Sequence, residues 1–301
     1  MASFTVTNLN DSGAGSLRAA ITGANAASPG SPNTINFDPS IAGGTITLQS
    51  DLPSITNPTS IVASSTTAGS APTIEINFNG HAGLTFDAGS QGSQLIGVAL
   101  GGASGAGVTL NAGSILLNNN YIGVALDGTA LGNTGDGVFV ASTSSGNQIG
   151  ANPDALSRVV TNVISNNGGN GITFSGSADN VVESNRIGTN VAGTSAMANA
   201  GNGIWVTAGA NGNLIGGTAS FDSSTGQQND PTGDKGTTAA TIVTPALGNL
   251  VSGNGQNGIL IDTGSQNNVL SGTSSAPTSP ATPRSATRTM ASPSTAPTTT
   301  R

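Results

Sequence analysis

The 301-residue chain has no cysteine, which excludes disulfides, thiol catalysis and cysteine-ligated zinc together. It has one histidine, His81, so a multi-histidine metal site is excluded as well, and without a serine or cysteine relay around it His81 reads as a turn residue. Aromatic residues make up 3% of the chain and charged residues 7%, too little bulk for a conventional globular core. Trp205 is the only tryptophan and Tyr121 the only tyrosine, so aromatic platforms for sugars are scarce. No apolar run approaches the roughly 20 residues that cross a bilayer, which argues against membrane insertion. The opening MASFTVTNLNDSG has neither a basic nor an apolar leader region. A secreted or surface location therefore requires a leader removed before this chain begins. Bases are also few: 14 acids face seven, and Arg284, Arg288 and Arg301 lie at the C-terminal end. A body with that imbalance repels phosphate backbones, so nucleic acid is not expected as a partner.

What is abundant is glycine, with 45 residues, and short apolar triplets separated by Asn and Gly. The stretch NVISNNGGNGITFSGSADNVVESNRIG (162–188) recurs as NLVSGNGQNGILIDTGSQNNVLSG (249–272), and its parts recur between 120 and 150. A unit of this length cannot bury its own apolar face and must stack on its copies. Three strand classes can be followed. One is a Gly followed by a triplet, as at Val138, Ile172, Ile204 and Ile259; the second contains Ile149, Val181, Ile215 and Val269; the third contains Ile164, Ile187 and Val251. Three strands per coil predict a triangular, all-β right-handed parallel β-helix (a β-solenoid). Asn162, Asn170, Asn180, Asn185, Asn202, Asn213, Asn249, Asn257 and Asn268 fall at its corners, where Asn tolerates left-handed backbone and bonds to its like in the next layer.

The chain divides into three parts. Residues 1–33 predict a strand, FTVTN, and a short capping helix with Ser16 as N-cap and Leu17, Ala20, Ile21 and Ala24 on one face. Residues 34–272 predict the β-helix, with irregular early layers, and the loops TNVAGTSAMANAGN and TASFDSSTGQQNDPTGDKGTTAATIVTPALG are where function could reside. Residues 273–301, rich in Thr, Ser, Pro and Ala, predict a disordered tail. The repeat demands Asn-x-Ile-Gly there, and displacing the codons from Thr273 by one base allows Asn-Phe-Ile-Gly-Thr-Asp-Val-Ala-Gly, so the tail is expected to be frameshift-derived. The last coil is then open, and self-association through it is expected.

NDSGAGSLRAAI near the start, with the NxIG, NxGNGI and NNVxxxN units, resembles bacterial right-handed parallel β-helix repeat proteins over roughly residues 4–272. The NDSGxGSLRxAI segment is similar to the N-terminal segment of exported or surface-attached members of that group. The resemblance implies an adhesin-like, glycan- or surface-binding module without catalysis. The alternative it implies is a polysaccharide lyase or glycoside hydrolase using acidic residues on a β-helix face, since the fold carries both.

The residues that could carry chemistry are few. Asp179, Glu183 and Arg186 lie close together in SADNVVESNRIG and are the candidate catalytic set; a surface ion pair is the alternative. Asp127 could pair with another acid for glycoside hydrolysis or contact substrate, while Asp136 reads as a corner residue. Trp205, mid-triplet between Ile204 and Val206, should point outward if they point inward. Trp205 and Tyr121 would then stack on sugar rings. Calcium, as the one cofactor considered, would fall to Asp222, Asp230 and Asp234 in the longest insertion.

Overall fold

A computed structural model describes residues 1–28, 32–63, 71–150, 161–216, 220–222, 227–229, 248–262 and 264–274. Its strands are three or four residues long for the most part, because Gly or Asn interrupts each apolar triplet before it can extend. They assemble into parallel sheets of nine, seven and six strands, and from the strand Leu84–Phe86 onward the chain adds one strand to each sheet in turn, apart from the separate antiparallel pair Ser220–Asp222 and Gln227–Asn229. One coil, for example, runs Gln148–Gly150 in the nine-stranded sheet, Val163–Ile164 in the seven-stranded and Ile172–Ser175 in the six-stranded. This is the parallel β-helix that the repeats predict. The early layers are irregular as expected: Asn33–Phe37, Thr59–Val62 and Ile74–Asn77 pair in register with the later coils, but before Leu84–Phe86 the six-stranded sheet is met only by an isolated bridge at Ile55.

Register places one residue of each triplet in line with its equivalents above and below. Ile35, Ile61, Leu95, Leu117, Ile149, Val182 and Ile215 form one inward column. Ile46, Ile76, Leu100, Ile122, Ile164, Ile187 and Val251 form the second. The six-stranded sheet contributes two, one through Val138, Ile172 and Ile204 and one through Val140, Phe174 and Val206. Nearly all are fully buried, and each such side chain contributes about 1.5–3 kcal/mol relative to exposure. In the nine-stranded sheet Val182 faces inward and Val181 outward, a choice that two adjacent valines do not reveal.

Asn closes the corners in four ladders. The buried Asn147, Asn180 and Asn213 pass a side-chain hydrogen bond from coil to coil, Nδ2 to Oδ1, at 2.7 and 2.8 Å, and Asn213 passes it to Asn268 at 2.8 Å. Asn162, Asn185 and Asn249 do the same at 2.9 Å per step. Asn133, Asn167, Asn199 and Asn254 form a third ladder. The fourth, Asp136, Asn170, Asn202 and Asn257, runs in the opposite sense, each Nδ2 donating to the preceding coil. Asp136 sits at its accepting end, where no donor is required, so an acid fits there.

The helix Leu17–Ala26 covers the first coil. Ser16 caps it by accepting from the Ala19 N–H at 3.2 Å, and Leu17, Ala20, Ile21 and Ala24 are buried as their spacing predicts. Its C-terminal carbonyls are satisfied by Asn33, in the strand Asn33–Phe37, and by Asn57, just ahead of Thr59–Val62: both donate to Ala24 O, and Asn57 also to Ala27 O. Arg18 bonds to Asp11 at 2.6 Å and to the carbonyls of Ser50 and Asp51, clamping the helix to the first coil's loop. Burial opposes ionisation of Asp11, but the Gln49 N–H and the Arg18 guanidinium outweigh it and hold its carboxyl below the usual range. No helix among the described residues is long and apolar enough to cross a membrane.

Candidate functional site

The outward face of the six-stranded sheet presents two columns. Thr85, Thr109, Phe139, Thr173, Trp205 and Leu260 form one. Asp87, Asn111, Ala141, Ser175, Thr207 and Asp262, which follow the inward residues of the same strands, form the other. Trp205 points outward, as the alternation with Ile204 and Val206 requires, and is half-buried against the sheet. Its indole N–H donates to Asp262 Oδ2 at 2.8 Å, which fixes the ring's orientation. The other oxygen, Asp262 Oδ1, is buried without a partner. Phe139 lies two coils from Trp205 in the same column, about 9.6 Å away at the spacing of strands. Between them is Thr173, whose hydroxyl accepts from Asn170 Nδ2 at 3.1 Å.

Asp179, Glu183 and Arg186 are not brought to one site. Asp179 is exposed in a turn and takes a left-handed φ of 56° ahead of the strand Val181–Glu183. Glu183 ends that strand in the nine-stranded sheet, whereas Arg186 opens Arg186–Ile187 in the seven-stranded one. The corner residues Ser184 and Asn185 turn the chain between them, so the expected ion pair is absent among the described residues. Glu183 is 6% exposed, and burial pushes its carboxyl up. It stands opposite Gly150, which has φ +111° and whose missing Cβ would lie 1.6 Å from the Glu183 carbonyl oxygen. Only glycine admits so close an approach.

Arg186 instead belongs to a second apolar cluster on the outside of the seven-stranded sheet. Ala99, Tyr121 and Val163 form its floor, and residues 124–130 and 189–197 fold over it as short hairpins that bring Val124, Leu126, Val191 and Met197 down. Arg186 holds one hairpin through the Val191 carbonyl, and Glu75 Oε2 holds the other by accepting the Leu126 N–H at 3.0 Å. Tyr121 is consequently 7% exposed, and the reading of it as an open sugar platform is corrected. Burial raises the pKa of its hydroxyl, only partly offset by the positive Arg186. The loop 189–197, expected as a place for function, serves as this cover.

Asp127 is exposed at the tip of the other hairpin. Its carboxylate accepts from the Thr129 hydroxyl at 2.6 Å and the Thr129 N–H at 2.9 Å; these bonds lower its pKa and shape the turn. Among the described residues no outward column carries carboxylates on successive coils, and no three His, Cys, Asp or Glu gather as a metal site. Of the residues suggested for calcium, Asp230 and Asp234 lie outside the described residues. Asp222 ends a strand, Ser220–Asp222, that pairs antiparallel with Gln227–Asn229. His81 occupies a turn, its Nδ1 3.4 Å from Asp51 Oδ1. Asp262 was missed in the sequence; its place one residue beyond the triplet, in line with Asp87 and Asn111, was the available signal.

No family model and no curated relative matches the sequence. Among solved structures the chain is similar to the Azotobacter vinelandii mannuronan C-5 epimerase AlgE6 A-module, with 12% identity, 91% of this chain and 99% of that chain covered, and a TM-score of 0.36. It is also similar to the AlgE4 A-module of the same organism, with 14% identity, 91% and 96% coverage, and a TM-score of 0.30. Neither likeness bears on what this chain does.

Proposed function

We propose that this chain is a non-catalytic glycan-binding module of an exported or cell-surface repeat protein, with the sugar held on the outward face of the six-stranded sheet at Trp205. The observation that carries this reading is an outward indole whose N–H is already bound to Asp262, leaving its apolar face as the part a ligand would use. The C–H face of a sugar ring stacks on such a surface, and a ring held on a rigid sheet loses little conformational freedom on binding. Phe139 in the same column supplies a second apolar platform, and Ser175 and Thr207 beside them supply hydroxyls. Two platforms about 9.6 Å apart suit an extended polysaccharide better than a monosaccharide.

The rival reading, a polysaccharide lyase or glycoside hydrolase, has Glu183 in its favour, since a buried carboxyl with a raised pKa is the property a general acid needs. Glu183, however, lies on a different sheet from Trp205. Affinity electrophoresis through a panel of neutral and acidic polysaccharides, with wild type and Trp205→Ala, tests the proposal. Retardation that Trp205→Ala abolishes supports it; retardation unaffected by the substitution removes Trp205 from the site. Release of reducing ends or unsaturated uronates, lost in Glu183→Ala, would establish the rival. Repeating each assay with EDTA tests whether calcium takes part.

A further inference from the structure

The two ends of the solenoid differ. Helix Leu17–Ala26 closes the first coil, whereas Leu250–Val251, Ile259–Ile261 and Val269–Leu270 are the last strands of the three sheets among the described residues. In the inward columns Ile149, Val182, Ile204 and Val206 are fully buried, whereas their last equivalents Ile259 and Ile261 are partly exposed and Leu270 is 45% exposed. Two of the buried polar atoms without a partner, Asp262 Oδ1 and Thr273 Oγ1, lie at this end.

Residues 273 and 274 already begin another layer. Ser274 bridges Leu250 in parallel, donating its N–H to Asn249 O at 2.9 Å and accepting the Val251 N–H at 3.0 Å. That register puts Thr273 directly after Asn120, Asn162, Asn185 and Asn249 in their ladder. The glycines agree: a Cβ on Gly150 would meet Asn185 Nδ2 at 2.8 Å, and a Cβ on Gly216 would meet Thr273 Oγ1 at 2.6 Å. Thr273 thus holds a ladder position without the amide that the ladder needs.

We propose that the open face of the last coil is the docking surface for one further coil of the same repeat, encoded directly after Gly272 but one base out of the frame that gives Thr273 onward. In the displaced frame only the first base of each codon is free, so each codon type now present limits its position to at most four residues. Serine codons of the TCN type become Phe, Leu, Ile or Val, threonine codons become Asn, Asp, His or Tyr, and alanine codons become Gly, Ser, Arg or Cys. The tail then allows NFIGTDVAGDAALGNADDGV, which keeps the spacing of residues 185–204. Its two ladder asparagines match Asn185 and Asn199, its VAG matches Val191, Ala192 and Gly193, and its Leu takes the place of Met197 in the outer cover. Codons 293–300 continue as AIDGANNN, spaced as residues 173–180, so the final Asn reaches the ladder position of Asn180. One displacement therefore restores an apolar triplet, the ladders and the cover together.

The nucleotide sequence across codons 270–301 is the first test, and codons that cannot give this reading overturn the proposal. The second compares the full chain with a frame-restored chain in which residues 273–301 are replaced by the displaced reading. Amide exchange at Leu250, Ile259, Ile261 and Leu270 should slow by on the order of tenfold or more, dye binding to exposed apolar surface should fall, and the melting temperature should rise. Unchanged exchange and melting overturn the proposal. So does finding the open face already covered in the full chain. A concentration-dependent dimer whose dissociation exposes it would assign the face to a second copy, and exposure only after proteolytic removal of the tail would assign it to residues 275–301.

Discussion

Replacing Asn180 by alanine should destabilise the protein by about 4 kcal/mol, although the residue is polar, small and on a different sheet edge from Trp205. Asn180 is fully buried and accepts two bonds from Asn147, one from its N–H at 3.0 Å and one from its Nδ2 at 2.7 Å, while donating to Asn213 Oδ1 at 2.8 Å. Truncation strands the buried Asn147 N–H and one of the two Nδ2 hydrogens, the other keeping its bond to Ser144 Oγ at 2.8 Å. Asn213 Oδ1 keeps the Asn180 N–H at 3.0 Å and loses less. Each stranded buried group costs roughly 1–3 kcal/mol, and two of them account for most of the estimate. Against a total stability of about 5–15 kcal/mol that is a large fraction. At roughly 2–4 °C per kcal/mol the melting temperature should fall by about 8–16 °C, read by far-ultraviolet circular dichroism. The exposed Asn10→Ala serves as control and should stay within about 0.5 kcal/mol of wild type. Asn180→Asp sharpens the test. Its carboxylate still accepts from Asn147 but cannot donate to Asn213, and burial raises its folded-state pKa. It should therefore be destabilised at neutral pH and recover as pH falls. If Asn180→Ala melts within a degree or two of wild type, the ladders do not hold the coils together as argued.

Further substitutions follow from the same geometry. Glu183 has a folded-state pKa raised above its ordinary 4.5, so its protonated form favours folding: that contribution is full below the unfolded pKa and is lost as pH rises through the folded one. Glu183→Gln should accordingly raise the urea midpoint at pH 7 and leave it unchanged in acid below the unfolded pKa; an equal effect at both would contradict the burial assigned to it. Gly150→Ala, which drives a Cβ against the Glu183 carbonyl at φ +111°, should reduce soluble yield and melting temperature more than any exposed substitution. Arg18→Ala removes the bonds to Asp11, Ser50 and Asp51 and should loosen the cap first, seen as faster amide exchange in residues 17–26 while later coils keep their protection.

The repeats made the coil architecture legible because each structural role recurs with a fixed residue type: Asn at ladder corners, Gly before the triplet, branched aliphatics inside. Trp205 could be placed outward from its neighbours alone. The early coils were harder, since Thr34–Phe37 and Ile74–Asn77 share the register without sharing the motif. The outer cluster around Tyr121 was missed because a hairpin between strands looks polar until Val124, Leu126, Val191 and Met197 are seen to land on one outward column. Proximity in sequence also misled at Glu183 and Arg186, since a two-residue corner moves the chain from one sheet to the next. What the face at Trp205 binds was not written in the repeat pattern, which constrains inward and corner positions and leaves outward ones free.

Because Trp205 is the only tryptophan, its fluorescence reports on the proposed binding face alone. Titrating the full chain with the polysaccharides that retard it in gels should give a saturable change in Trp205 emission, absent in Trp205→Phe and weakened in Phe139→Ala. Emission that stays constant while a polysaccharide binds would contradict the account, because the ligand would then be held on another face.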